Sequence, residues 1–296
     1  MRIGVLLLPT DPWPNTVEDV KRLDDAGFDH LWVYDHLTWR RYRDRPWFSA
    51  VPWLTGVAVV TERIRIGTLV ANPNIRHPLT MAKEMLTLDH ISGGRLTVGI
   101  GAGGTGYDAT VLGADRLNAS QRVARMTEFV ELFDGLLTGS IRSYDGDYYS
   151  VDDATVLPQC LQRPRFPIAI AAGQERTLGL AAEYGDAWVT WGDTTLQDLT
   201  PGGTLEVVQR QLDHLRRECA ATGRDVDEID RVFLVGNTES APLSSIDSFV
   251  GFARTYAEIG FTDLVFHHPR PDDPVWNEDP AIVSEIAAAL PALHKL

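Results

Sequence analysis

Short apolar runs alternate along the chain with longer segments whose apolar residues recur every three or four positions. Residues 3–8 form a continuous apolar run, as expected of a strand covered on both faces. Val17, Val20 and Leu23 follow at helical spacing, with Thr16 as the expected N-cap and Gly27 as the stop. The same reading predicts strands at 30–34, 64–71 and 96–101, with helices at about 50–61 and 79–91 between them. Val123, Met126, Val130, Phe133 and Leu137 mark a long fourth helix. Strand 168–172, helix 176–184 and strand 187–190 come next. Leu205, Val208, Leu212, Leu215 and Cys219 then lie on one helical face. Strand 232–235, a helix carrying Ile246, Phe249 and Ala253, strand 264–266 and a helix carrying Ile282, Ile286 and Leu290 complete the pattern.

Strands alternating with helices imply parallel pairing, and eight such units without a break in composition predict an α/β fold. The expected form is a single (β/α)8 TIM barrel, one domain over residues 1–296. A doubly wound open sheet is the alternative. One excursion interrupts the alternation at 139–160. There Asp145-Gly146, flanked by tyrosines, predicts a hairpin before the fifth strand.

Composition narrows the function. With 27 Lys+Arg against 41 Asp+Glu the net charge is −14, which argues against nucleic acid or an anionic membrane as partner. No stretch approaches the roughly 20 apolar residues of a membrane span. The first apolar run meets Pro9 with no small-residue cleavage site, so it reads as a strand and not as a secretory signal. Cys160 and Cys219 suggest neither a disulfide framework nor a metal site, and a reducing cytoplasm is expected.

Gly99, Gly101 and Gly104 spell a dinucleotide-binding spacing. That motif works when a helix opens directly at the loop and its free amides meet a pyrophosphate. Here the glycines follow the fourth strand, and residues 105–115 carry no helical apolar stripe. Close approach of the backbone to a flat ligand, or a tight turn around nothing, are the better readings.

In a barrel the active groups belong at the carboxyl ends of the strands. Those positions hold Pro9 and Thr10, Asp35 and His36, Ala71 and Asn72, Gly101 and Gly103, Gly173 and Gln174, Trp191, Gly236 and Asn237, and His267 and His268. The set is poor in carboxylate pairs and nucleophile triads and rich in glycine, aromatics and small polar groups. Such a rim suits a large flat cofactor that carries its own chemistry. A metal-dependent hydrolase or an aldolase needs ligands at several strand ends or a lysine near the sixth, and neither is present; no metal is assigned. Arg40, Arg41, Arg43 and Arg45 cluster after His36. They suit either a solvated loop or attraction of an anionic cofactor tail or acidic substrate.

Several stretches resemble the luciferase-like monooxygenase superfamily, whose members use reduced flavin or the deazaflavin F420. They are AGFDHLWVYDHL (26–37), RIRIGTLVANPNIRHPLTMAKEMLTLDHISGGRLTVGIGAG (63–103), FDGLLTGSIRSYDGDYYSVDDA (133–154) and RPRFPIAIAAGQERTLGLAAEYGDAWVTWG (163–192). The likeness is looser from 193 to 296. It implies an oxidoreductase with F420 or FMN at the barrel mouth. His36 would be the catalytic proton carrier, oriented by the adjacent Asp35. It implies a non-proline cis peptide within 67–72, at Val70–Ala71 or Ala71–Asn72, pressing Val70, Ala71 and Asn72 on the ring. Gly101, Gly103, Tyr107 and Trp191 would line the ring. Gly173, Gln174, Arg176 and Thr177 would bind the phosphate, with Glu175 a departure from the family pattern. Gly104, Thr105 and Gly106 depart further, where the family often carries a bulky aromatic and acids. Hydride transfer to or from a small organic substrate through F420 is the favoured activity. The alternatives are an FMNH2- and O2-dependent monooxygenase served by a separate reductase, and a non-catalytic flavin-binding barrel. The resemblance also implies a homodimer packed through the second and third helical units.

Overall fold

The computed structural model describes residues 1–192, 203–236, 241–270 and 272–296. In chain order its elements are β1 (Arg2–Leu6), α1 (Trp13–Ala26), β2 (His30–Val33), α2 (Ala50–Val60), β3 (Arg65–Ala71), α3 (Pro78–Ile91), β4 (Leu96–Ile100) and α4 (Ala119–Thr138). There follow β5 (Tyr144–Asp145), β6 (Ser150–Val151), β7 (Ile168–Ala171), α5 (Glu175–Tyr184), β8 (Ala187–Thr190), α6 (Gly203–Thr222), β9 (Asp230–Leu234), α7 (Ile246–Ile259), β10 (Asp263–His267) and α8 (Ala281–Leu293). Eight parallel strands close into a barrel in the order β1-β2-β3-β4-β7-β8-β9-β10, with β10 returning to β1. The antiparallel β5–β6 hairpin precedes β7. The (β/α)8 reading is therefore correct and the open sheet is excluded.

The core has two shells, as a closed barrel requires. Ile3, Leu31, Ile66, Val98 and Ile170 point outward against the helices. Leu6, Trp32, Leu69, Ala169, Val189, Leu234 and Val265 point inward. Trp32 packs inside the barrel against its flanking strands. A Cβ on Gly67, its register partner on β3, would meet the Trp32 ring at 2.6 Å, and one on Gly4 of β1 would lie 3.1 Å from its Nε1. Two glycines on the flanking strands thus make room for one indole, large opposite small.

Two local expectations change. Helix α1 begins a turn earlier than Thr16, because Pro14 in its first turn has its φ preset for helix and lacks the amide that would otherwise go unbonded. Thr16 lies inside the helix, its hydroxyl 3.3 Å from the Asp11 carbonyl. In the hairpin Gly146 does not take positive φ, and the turn is held from outside: Glu128 of α4 accepts from the amides of Asp147, Tyr148 and Tyr149 at 2.9–3.2 Å. Gly146 is glycine because a side chain there would strike Glu128 and Tyr144.

The amino-terminal floor of the barrel is sewn by ions. Arg2 reaches both oxygens of Asp263 at 2.8 and 2.6 Å, and His30 Nε2 lies 3.0 Å from the same carboxylate. Burial alone would raise the Asp263 pKa, but the hydrogen bonds and charges of His30 and Arg2 outweigh it and hold it down at about 2. A depressed carboxylate stabilises the fold fully above its unfolded pKa and loses that contribution as pH falls towards its folded one. Asp263 is therefore expected to contribute about 2 kcal/mol above pH 4 that disappears between pH 4 and about 2. Urea unfolding at several pH values checks this. Asp263→Asn should flatten the acid limb, and an unchanged acid limb would refute the assignment.

Candidate active site

At the opposite, carboxyl end of the barrel, side chains inward on β2 continue past its last residue in period two: Trp32, Tyr34, His36. His36 is about a quarter exposed. Its Nδ1 lies 2.5 Å from Asp108 Oδ2, so Nδ1–H donates to a carboxylate. Asp108 is buried and holds two further donors: Asn72 Nδ2 at 2.8 Å and the Leu37 amide at 3.2 Å. With its proton fixed on Nδ1, the ring keeps the Nε2 lone pair free to take a proton from a bound molecule.

Asp35 does something else. Its carboxylate, 1 % exposed, is gripped by both Nε and Nη2 of Arg76 at 2.9 and 2.7 Å. Arg76 also reaches Glu84 on α3. Burial would lower the Arg76 pKa, but the bond to Asp35 outweighs it and raises it. Asp35 therefore ties the end of β2 to the loop before α3. Adjacent residues on an extended chain face opposite ways, so the carboxylate next to His36 in sequence is not the one that touches its ring.

The backbone beside this pair bulges. Strand β3 loses register with β4 between Thr68 and Ala71, and the non-proline cis peptide there is Leu69–Val70. That is one bond before the expected pair, since Ala71 is already back in register with Ile100. The bulge also explains the glycine spacing on β4. A Cβ on Gly101 would meet Val70 Cγ2 at 2.6 Å, one on Gly99 would strike the Thr68 carbonyl, and Gly103, at φ +77°, faces Asn72 Oδ1. These glycines admit β3 and its loop, and none opens a helix. Among the expected rim residues, Asn72 thus meets the His36–Asp108 pair directly, Gly103 faces Asn72, and Gly101 packs against Val70. Tyr107, 43 % exposed, stacks under Arg43 at 5.1 Å.

Gly173, Gln174 and Trp191 stand across the mouth, at the ends of β7 and β8. Gln174, Glu175 and Arg176 are exposed at the start of α5, where the first-turn amides have no intrahelical acceptor. Thr177 is buried and fully used in the cap: its hydroxyl donates to the Gln174 carbonyl at 2.8 Å and accepts from the Gln174 amide at 3.2 Å. Its hydroxyl proton is thus committed to the cap and not to a ligand. Gln211 on α6 fixes this side. It accepts from Thr190 Oγ1 at 2.7 Å and donates to the carbonyls of Gly173 and Gly192 at 3.3 and 3.2 Å.

The remaining wall is aromatic. Trp39, Tyr42, Trp47 and Trp276 pack around Tyr34 and His267. Arg40 and Arg45 lie over Trp39 and Tyr42, so the arginine loop folds onto this wall. His268 turns its Nδ1–H to the Pro269 carbonyl at 3.0 Å. Asn237 and the Arg41 side chain lie outside the described residues. Among the described residues no cluster of three metal-ligating side chains occurs.

Asp108, Gln211 and the Tyr34–His267 contact were not singled out from the sequence as site residues. Asp108 is 72 positions from His36, and nothing local marks it. Only the barrel, which brings the loop after β4 against the end of β2, makes the pair.

The pattern that defines the luciferase-like monooxygenases matches residues 1–238. The chain belongs to the luciferase-like monooxygenase family. This luciferase-like chain is 31% identical over 298 residues to an F420-dependent glucose-6-phosphate dehydrogenase of Beutenbergia cavernae, covering 86% of itself and 87% of that protein. It is 29% identical to a 4-hydroxyprotoasukamycin monooxygenase of Streptomyces nodosus subsp. asukaensis, over 77% of itself and 60% of that protein. Other curated relatives of the family are spanned over 59–63% of their length. Its barrel matches the structure of an F420-dependent secondary alcohol dehydrogenase in complex with an F420–acetone adduct, with a TM-score of 0.79 over 99% and 98% of the two chains. At 17% identity that likeness is one of luciferase-like fold.

Proposed function

We propose that the chain, as one domain, is an oxidoreductase that binds F420 at the barrel mouth and exchanges hydride between it and a small organic substrate. The observation that carries this is the His36–Asp108 pair: an imidazole with a fixed tautomer and a free Nε2 on a glycine-rich, aromatic rim. The residues present fit a flat, phosphate-bearing group. The bulge at Val70 and the loop at Gly103 offer a backbone surface for a ring. The exposed start of α5 with Arg176 offers amides and one cation for a phosphate. Gln174 and Gly173 would form the approach to that helix, and Trp191 and Tyr107 the sides.

Bound F420 would supply the hydride acceptor or donor. The rest falls to the protein. As a carbinol carbon gives up hydride, its hydroxyl proton passes to His36 Nε2 and the carbon–oxygen double bond forms; reduction runs the same steps backwards. Asp108 holds the imidazole in place and stabilises its charged form, and Asn72 and Leu37 hold Asp108. Asp35 braces this arrangement through Arg76 and does not itself reach the reacting atoms.

An FMN-dependent monooxygenase with a separate reductase is the second reading, favoured by the 29%-identical monooxygenase relative. We take the protein to be cytoplasmic, in keeping with two buried free thiols, and a homodimer. The dimer reading rests on α2, apolar on nearly every face and with Val59 71% exposed, and on the exposed Ile91 of α3. Fluorescence titration with F420 and FMN, with sedimentation of the same sample, tests the cofactor and the dimer. Saturable binding of F420 to a two-chain species is expected. Saturation by neither cofactor refutes the activity, tighter FMN binding with oxygen uptake selects the second reading, and a one-chain mass refutes the dimer.

A further inference from the structure

The mouth holds a second polar pair that the reaction above leaves unused. Tyr34 projects from the same face of β2 as His36, with ring centroids 6.2 Å apart. Its hydroxyl lies 3.0 Å from Nε2 of His267 at the end of β10, on the neighbouring side of the barrel. His267 is 1% exposed and stacks on Trp276 at 3.9 Å, and its Nδ1 has no partner. Trp39 packs against Tyr34 at 4.9 Å. Residues 272–276 are pinned beside the pair because Asp273 accepts from Arg270, Tyr42 and the amides of Val275 and Trp276.

The direction of the Tyr34–His267 bond follows from that unpartnered Nδ1. If Tyr34 donated, the imidazole proton would sit on Nδ1 as a buried N–H with no acceptor. If Nε2–H donates to the phenol oxygen, Nδ1 carries only an unused lone pair, and unmet buried acceptors are commoner than unmet donors. Tyr34 then keeps its own O–H to offer elsewhere. Neither group titrates near neutrality. Burial, then the charge of Arg270, holds His267 well below the ordinary histidine range, with Asp273 opposing and Arg40 adding to the shift. Burial pushes the Tyr34 phenol well above its own range, with Arg40 and Arg270 opposing. The pair is a fixed hydrogen-bond donor beside a proton carrier, inside an aromatic wall.

Building on the redox reading, we propose that Tyr34, positioned by His267, donates to the oxygen of the substrate and selects small uncharged carbinol or carbonyl compounds. His36 moves the proton; Tyr34 orients the oxygen from which it comes.

Two measurements decide it. In the ligand-free protein, ¹⁵N NMR of the imidazoles is expected to place the His267 proton on Nε2 from about pH 5 to 8. A proton on Nδ1, or an imidazolium in that window, overturns the orientation. In turnover, Tyr34→Phe should lower kcat/KM for a neutral alcohol such as 2-propanol or cyclohexanol by about tenfold to a hundredfold, with F420 affinity unchanged. His267→Leu should reproduce that loss. His267→Gln, which keeps a donor near Nε2, should recover part of it. Unchanged kcat/KM in Tyr34→Phe, or a wild-type preference for glucose 6-phosphate over the neutral alcohols, overturns the proposal. A wild-type protein that binds no F420 refutes the redox reading instead, and the NMR result still judges the pair.

Discussion

His36→Ala is expected to lower the turnover of the F420-loaded protein by about 10²–10⁴-fold while leaving cofactor affinity within a few fold, the usual worth of a positioned acid or base. Asp108→Asn should approach the same loss by a different route. In the native site Asp108 Oδ2 receives both His36 Nδ1–H and Asn72 Nδ2–H, and Oδ1 receives the Leu37 amide. An amide has one oxygen for these three donors. If its NH2 faces His36 and Asn72, the imidazole must move its proton to Nε2, where the free lone pair is needed. If its NH2 faces Leu37, a main-chain donor is left against a donor. Steady-state kinetics with the cofactor saturating, and a cofactor titration of each variant, check both substitutions. Full activity in His36→Ala would show that the proton leaves by another group. Full activity in Asp108→Asn would show that the tautomer is not set there.

The second large effect is on stability. Asp35→Ala should destabilise the fold by about 3 kcal/mol, because it strips the Arg76 guanidinium, only 15% exposed, of its buried bidentate partner and leaves it the single bond to the half-exposed Glu84. The contrast is with pairs such as Arg142–Asp153, at 63% and 81% exposure, whose loss should cost under about 1 kcal/mol. Replacing both partners, as Asp35→Asn with Arg76→Met, should recover much of the loss, since no buried charge then remains. Equilibrium urea unfolding of the two single variants and the double one measures this. A loss below about 1 kcal/mol in Asp35→Ala would mean that water reaches the pair and screens it. Read with the first prediction, it separates two neighbours in sequence: His36 should cost rate and Asp35 should cost stability.

That separation marks where reading the sequence succeeded and where it stopped. The barrel was legible because each strand and helix declares its period locally, and the strand ends then follow from the fold class. The place of His36 just past the end of a barrel strand was legible for the same reason. Asp35 was misread as its orienter because closeness along the chain stood in for closeness in space. The true partner, Asp108, comes from another strand end. The cis bond was placed one residue late, since the return of Ala71 to the ladder depends on β4 and not on local sequence. Thr177 was taken for a phosphate donor although the helix start needs its hydroxyl for a cap. Tyr34 read as strand filling until β10 set His267 against it.

The aromatic wall has a practical consequence. Trp39, Trp47 and Trp276 lie within one cluster at the mouth, and half-exposed Trp191 stands across from it, so four of the eight indoles border the place where a ligand would enter. The four emit where a chromophoric guest would absorb their energy, while Trp32 and Trp188 deep in the fold supply a steadier background. The protein thus carries its own optical gauge of occupancy, readable without a label or an assay of turnover.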